Sequence, residues 1–378
     1  MKLRITRVDI FSVKVPYKYA IATSLGSSDS LNNVIVKVYT NEGVIGWGET
    51  APKPAFSGEN QSSVFYTLKN HLAPSVIDEN PLQLNLLVEK MDKIVWGQTF
   101  AKTAIDFALH DVAAKLQNIP LYNLLGGKCR AKIPLAWTIG VKDVKEAIKE
   151  GEEAIKEGFN ALKIKIGSGN PEEDVRRVQQ VQEQLGEEVP IRVDANQGYS
   201  LEEAKKVISS LDEIGLQLIE QPIKRTDLSG MAHLVKSFHT PIMADESVFT
   251  PEDAFKVAVS RAADIVNIKP QKPGGLVRSK QVAAICKAAN LSCFASSRMS
   301  SNIGSAAVTH FVASTANVGF EGEFIDGVLM AEDYLVEKPL EIEEGIVKVP
   351  TGVGIGVKVD EEKLNKFKLD SVTVKRGN

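Results

Sequence analysis

Cysteine is scarce in this chain: Cys129, Cys286 and Cys293 are widely spaced and form no Cys-x-x-Cys pair. A disulfide framework is therefore not expected, and a reducing, cytoplasmic setting is. No run of about 18 apolar residues occurs, so no membrane-spanning helix is encoded. The N-terminal MKLRITRVDIFSVKV alternates like a strand and lacks the apolar core of a signal peptide. An excess of charge of one sign is also missing. With 45 Lys and Arg against 48 Asp and Glu, the net charge of −3 gives neither nucleic acid nor an anionic membrane a basis for binding. Histidine is sparse too: His71, His110, His233, His239 and His310 all fall within predicted helices or at their ends.

What is present is an ordinary globular composition over 378 residues, long enough for two domains, one of them of barrel size. The pattern divides the chain into residues 1–128, 129–338 and 339–378. In the first part, ITRVDIFSVKV, NNVIVKVYT and VIGWGET read as strands, with a polar, Ser-rich loop at residues 23–32 and another loop at 51–60. Helical patterns follow at about 60–76, 82–93 and 99–117. From residue 132 strand and helix alternate. IPLAWTI, ALKIKIG, IRVDAN, LQLIEQP, PIMADES, DIVNIKP, LSCFASS and VGFEGEF are eight strand candidates with helical stretches between them. That rhythm predicts an α/β fold, a (β/α)8 (TIM-type) barrel, with an N-terminal α+β capping domain. The alternating tail segments GIVKVPTG and GIGVKV are expected to return to the capping sheet and complete it.

Five charged residues recur along the barrel half like rungs. Lys165, Asp194, Glu220, Asp245 and Lys269 are separated by 29, 26, 25 and 24 residues, one strand plus one helix each time. Active sites of such barrels form at the C-terminal ends of the strands, so the five are expected to meet at one mouth. Any one of the acids could be a helix cap, but their common spacing and apolar flanks argue for a shared site. Asp194, Glu220 and Asp245 form a set of hard oxygen donors suited to Mg²⁺, with Mn²⁺ able to substitute. Lys163 and Lys165 lie two apart on one strand and face the same way. Lys269, four strands further on, comes from about the opposite side of the barrel. Two amines on opposite faces of one carbon would allow a proton to be removed on one face and returned on the other, provided the site lowers a lysine pKa.

The motifs ALKIKIG, RVDANQGY, LIEQP, MADES and VNIKPQKPGG, with GWGETAPKP and GVGIGV outside the barrel, resemble the enolase superfamily, specifically its muconate lactonizing subgroup. The resemblance covers nearly the whole chain. It implies that Asp194, Glu220 and Asp245 hold the metal and that Lys165 and Lys269 are the two acid/bases. Lys163 would polarise a substrate carboxylate, while Asn196 and Glu246 would orient ligands and lysines. It also implies a small-molecule carboxylate substrate and a symmetric homo-oligomer. The loop ETAPKPAFSGEN is similar to the cap loop of dipeptide epimerases. This favours a racemase or epimerase acting on an N-acyl amino acid or a dipeptide, for example of the Ala-Glu type. Two features depart from that pattern: Ser300 or Ser301 falls where relatives carry a Glu, and Glu321-Gly322-Glu323 replaces an Asp-x-Asp. Ser297, Arg298, Glu321 and Glu323 are the candidate substrate contacts, Arg298 for a second carboxylate or an amide oxygen. A muconate-type cycloisomerase, a dehydratase like o-succinylbenzoate synthase, a Schiff-base lyase and a non-catalytic metal- or ligand-binding barrel are the alternatives.

Overall fold

A computed structural model of the chain describes residues 2–23, 26–167 and 169–376. Its first part is an antiparallel sheet of β1 (Ile5–Thr23), β2 (Gly26–Thr40) and β3 (Ile45–Thr50). Alternation along these strands buries Val8, Ile10, Val34, Val36 and Val38 in one core with Ala101, Ala104 and Ala108 of the helix Thr99–Leu116. That helix is buried along most of its length because β3 lies directly on it. A Cβ at Gly48 would stand 2.0 Å from the Ala104 carbonyl oxygen, and one at Gly46 2.3 Å from that of Ala108. Only glycine permits so close an approach, which explains the alternate glycines of GWGET.

Residues 23–32, expected as a Ser-rich loop, differ from that expectation. β2 already begins at Gly26, and Ser28 and Ser30 pair with Ile21 and Pro16. Serine and asparagine are weak strand formers, but pairing along the alternating β1 fixes their register. Ser24 and Leu25 lie outside the described residues.

The second part begins with β4 (Lys132–Pro134) and then runs as β5 (Ala136–Ile139), β6 (Ala161–Lys165), β7 (Ile191–Asp194), β8 (Ile219–Glu220), β9 (Ile242–Ala244), β10 (Ile265–Ile268) and β11 (Ser292–Ala295). β5 to β11 form one parallel sheet in sequence order. The eighth expected strand is reduced to single parallel bridges, Val318 to Cys293, Glu323 to Ser296 and Gly322 to Leu135, which touch both edges of the curled sheet. Helices cross between successive strands and, except for Leu276–Ala288 after Gly275, begin at side-chain caps. Asp143 accepts from the Glu146 amide, while Ser200 with Glu203 and Thr250 with Asp253 form reciprocal capping boxes.

The tail departs from its expected course. β12 (Ile342–Glu343) and β13 (Ile346–Lys348) pair with each other, and β13 pairs with β4 rather than with the capping sheet. The strand that does return is β14 (Lys368–Lys375), antiparallel to β1. Between them GVGIG forms a docking loop: a Cβ at Gly354 would lie 2.1 Å from Asp111 Oδ1, and the Ile355 amide donates to that same oxygen at 2.9 Å. Glycines with positive φ at 354 and 356 cannot continue a strand, so the alternation there was misleading.

His310, on the buried helix Asn302–Ala313, ties three parts of the chain together. Its Nδ1 accepts from the Tyr122 amide at 3.2 Å, its Nε2 lies 3.1 Å from the Ile355 carbonyl oxygen, and its ring stacks on Tyr122. Those partners require the neutral ring, and burial pushes its pKa down to about 4. The unfolded chain takes up this proton more readily than the folded one. The stabilising contribution is thus complete above about pH 6.5 and is lost as pH falls toward 4. Urea unfolding at pH 5 and pH 7 should show a loss of about 2 kcal/mol from this group. In a His310→Gln variant the acid slope of stability should flatten by up to about one proton, whereas an unchanged slope would rule out His310 as its source.

Candidate active site

Parallel pairing brings the charged rungs together. Lys165 lies opposite Asp194, and Asp194 opposite Glu220, at the ends of β6, β7 and β8. Asp245 directly follows β9, and Lys269 directly follows β10. One layer deeper, Lys163 lies opposite Arg192. Leu218 and Met243, likewise two residues before Glu220 and Asp245, join Ile265 and Phe294 in an apolar floor beneath the acids.

Lys163 is fully enclosed by acids. Its Nζ donates to Glu220 Oε2 and, at 2.6 Å, to Glu323 Oε2, with Asp194 Oδ2 3.2 Å away. Burial alone would lower its pKa, but Glu220, Glu323 and Asp194 raise it well above the ordinary lysine value. It is a fixed cation rather than a base. Lys165 donates to Asp194 Oδ2 at 2.6 Å and to Asn196 Oδ1 at 2.9 Å. Asn196, held at φ 42°, donates from its side-chain amide to Glu246 Oε1 at 3.2 Å and from its backbone to Asp194 Oδ1 at 2.8 Å. It therefore links Lys165, Asp194 and Glu246. Lys269 donates to Asp245 Oδ2 at 2.5 Å. Its pKa runs against the expectation of a lowered lysine: burial pulls it down, but Asp245 and Glu220 outweigh that and raise it.

The three row carboxylates do not behave alike. Despite burial, Lys165 and Lys163 hold Asp194 well below the usual carboxylate range, and Lys269 and Lys272 do the same for Asp245. Glu220, between them, is pushed up to about 7 by burial and by both neighbouring acids. Glu246 is pushed up to about 8 by burial, Asp245 and Asp194, and its Oε2 has no hydrogen-bond partner. The mouth thus carries more negative potential than its lysines neutralise. Hard oxygen donors in such a field fit a divalent cation. As they stand, the side chains are turned onto lysines, and no three His, Cys, Asp or Glu among the described residues surround a common point.

The candidate substrate contacts divide. Glu323 is buried and bound to Lys163, with its Oε1 2.8 Å from Arg192 Nε. Glu321 lies deeper than expected: it contacts Arg192 Nη1 at 3.4 Å and accepts from Gln217 Nε2 at 3.1 Å, on the side where β8 begins. Its carboxylate closes the barrel floor rather than facing the mouth, because residues two apart on one strand point the same way at different depths. The Ser297 hydroxyl donates to the Phe324 carbonyl at 3.1 Å. Arg298 stacks over Phe56 of the capping domain at 5.4 Å, and its Nε makes no hydrogen bond.

Several supporting residues were not singled out from the sequence. Lys272 gives its three protons to Asp245 O, Asp245 Oδ1 and Asn267 O at 2.6, 2.7 and 2.8 Å and is saturated as a positioning group. The buried Gln221 side chain accepts from the amides of Asp245 and Ser247, both at 3.0 Å. Glu49, at the end of GWGET, accepts from Ser301 N, Ser301 Oγ and Gly304 N at 2.9, 2.8 and 2.7 Å, joining the cap to the helix after β11. Phe56 stands 5.0 Å above Lys269 Nζ. Lys272, Gln221 and Glu49 lie within motifs quoted above, but a motif does not reveal which of its polar residues are satisfied.

Residues 5–126 match the model of the mandelate racemase/muconate lactonizing enzyme N-terminal domain, and residues 146–363 match the enolase C-terminal domain-like model. L-Ala-D/L-Glu epimerase of Bacillus subtilis is 31% identical over 94% of this chain and 97% of its own length. Chloromuconate cycloisomerase CbnB of Cupriavidus necator is 32% identical over 97% and 99%. Among solved structures, N-succinyl Arg/Lys racemase of Bacillus cereus superposes with a TM-score of 0.95 at 29% identity, covering 98% of this chain and all of its own. A dipeptide epimerase of Cytophaga hutchinsonii, complexed with Mg and D-Ala-L-Val, gives 0.94 at 29% identity with the same coverage. The chain, an isomerase, belongs to the mandelate racemase/muconate lactonizing enzyme family of the enolase superfamily.

Proposed function

We propose that the protein is a Mg²⁺-dependent racemase or epimerase acting at the α-carbon of an N-acyl amino acid or dipeptide. One observation carries this reading: Lys165 and Lys269 are bonded to the two outer members of the acid row Asp194, Glu220, Asp245. An α-carbon set over Glu220 would have one amine on each face.

Asp194, Glu220 and Asp245 would hold the cation. Once bound, it would withdraw charge from the substrate carboxylate and so make the α-proton acidic enough to remove. The chain's own groups do the rest. Lys163, kept charged by its three acids, faces the developing negative charge of the carboxylate. For one direction Lys165, as the free amine, takes the α-proton, and the C–H electron pair moves into the carboxylate. Lys269, whose pKa is raised, stands as the ammonium on the other face and returns a proton to the same carbon. In the reverse direction the roles exchange. Asn196 holds Lys165 and Lys272 holds Asp245, so neither lysine needs to search for its position. The capping helix Pro54–Ser57 sets Phe56 over Lys269, which excludes water from one side.

In D₂O both epimers of a substrate should acquire deuterium at Cα. Lys165→Ala and Lys269→Ala should each lower interconversion by about 10²–10⁴-fold. Full activity of Lys269→Ala, with exchange lost only on replacing Lys165, would leave a one-base cycloisomerase or dehydratase in its place. EDTA should abolish turnover, and added Mg²⁺ or Mn²⁺ should restore it. Activity that persists in EDTA and is trapped by borohydride would indicate imine chemistry at a lysine instead.

A further inference from the structure

A cavity of about 510 Å³ opens between the cap and the barrel mouth, walled in part by the segments 23–32 and 51–60. Ser28, Ser30 and Asn32 come from the hairpin of β1 and β2, Lys53 from the loop after β3, and Arg298 from the segment after β11. Among the described residues its lining holds these two cations and no acid. Neither cation is balanced locally. Among the described residues no carboxylate lies within ion-pair distance of Lys53 or Arg298, although every other lysine at the mouth has one. Tyr17, Asp245, Asp326 and Glu246 act on Arg298 only from a distance, and its Nε is buried without a partner. Burial, Arg298 and Lys165 push Lys53 down to about 8, so it remains largely an ammonium at neutral pH.

Two unpaired cations facing one half-closed cavity are costly unless an anion joins them. The cavity lies beside the lysines of the mouth: Lys53 feels the charge of Lys165, and Arg298 shares the Phe56 ring with Lys269. An anion held there would thus belong to the same molecule as the reacting carbon. We propose that Lys53 and Arg298 form a receptor for a second carboxylate of the substrate, remote from the reacting carbon, and so select dicarboxylates over neutral analogues. The placement of that carbon rests on the two-lysine reading given above; the receptor itself rests on the cavity. A guanidinium takes a carboxylate through two parallel hydrogen bonds and an ammonium adds a third contact, with Ser28, Ser30 and Asn32 available to solvate it.

Calorimetric titration in Mg²⁺ with N-succinylglycine and N-acetylglycine tests this directly, because the two ligands differ in the second carboxylate and its methylene. N-succinylglycine should bind at least about tenfold more tightly. The gap should shrink several-fold in Lys53→Gln, whose side chain has no ion-pair partner among the described residues, and close in Lys53→Gln/Arg298→Gln. Equal affinities, or a gap that survives in both variants, would overturn the receptor. An N-succinyl amino acid, an Ala-Glu dipeptide and cis,cis-muconate each carry a second carboxylate. Comparing their kcat/KM values with those of an N-acetyl amino acid and Ala-Ala identifies its source, and a preference for the neutral pair would also overturn the receptor. A binding gap without Cα exchange on any substrate would sink the racemase reading and leave the receptor standing. Exchange without a gap would do the reverse.

Discussion

Lys163 is the residue around which the interior is organised. An ammonium with no access to water must be surrounded by acceptors, and Asp194, Glu220 and Glu323 supply them from β7, β8 and the eighth strand segment. Removing any one would leave buried charge uncompensated, an effect typically worth about 3–5 kcal/mol. The same requirement extends outward. Glu323 needs Arg192, which rests over Phe294 and draws in Glu321. Asp194 needs Lys165, and Lys165 needs Asn196. The barrel interior is thus a layered charge lattice above an apolar floor. Its upper layer, where Glu220 and Glu246 are pushed toward neutrality, retains an excess of negative potential. A site built to take up more positive charge is a consequence of that imbalance.

The cap is not a separate lid resting on this lattice. Glu49 places its carboxylate at the N-terminus of the helix Asn302–Ala313, where backbone amides and the helix dipole favour a negative charge. Asn33 donates at 2.6 Å to Glu49 Oε1, the oxygen that also accepts from the Ser301 amide, and donates to Met299 O as well. On the far side Phe56 packs against Phe249 and Phe100 and covers Lys269. Cap and barrel are therefore two bodies that share buried polar contacts. On the proposed reading the strand ends fix where a proton moves, while cap residues and the segment after β11 line the space for the rest of the molecule. Such a division lets one reaction centre serve different substrates through changes in the loops alone.

The meeting of the charged row at one mouth was legible in the sequence because strand-plus-helix periodicity is a local property. Once Lys165, Asp194, Glu220, Asp245 and Lys269 each ended or followed an apolar run, parallel pairing left little freedom in where they met. Much less was readable where a residue's role depended on depth or on distant partners. Glu321 and Glu323 read alike as a pair of acids, yet one turns to the floor and the other to Lys163. GIVKVPTG alternated like a returning strand but pairs with β4, and the strand that returns to the cap begins at Lys368. The polar residues of β2 offered no strand signal, and only β1 gives them a register.

By itself the sequence determined the barrel rhythm and the order in which three acids and two lysines follow successive strands, since each follows from residue type and spacing along the chain. The tertiary structure decided the charge states and the surroundings. Lys269 is raised rather than lowered because Asp245 and Glu220 face it, and Lys272 is saturated while Lys53 and Arg298 are not. Electrostatic energies depend on distance and burial between groups far apart in sequence, and those distances exist only once the chain has folded.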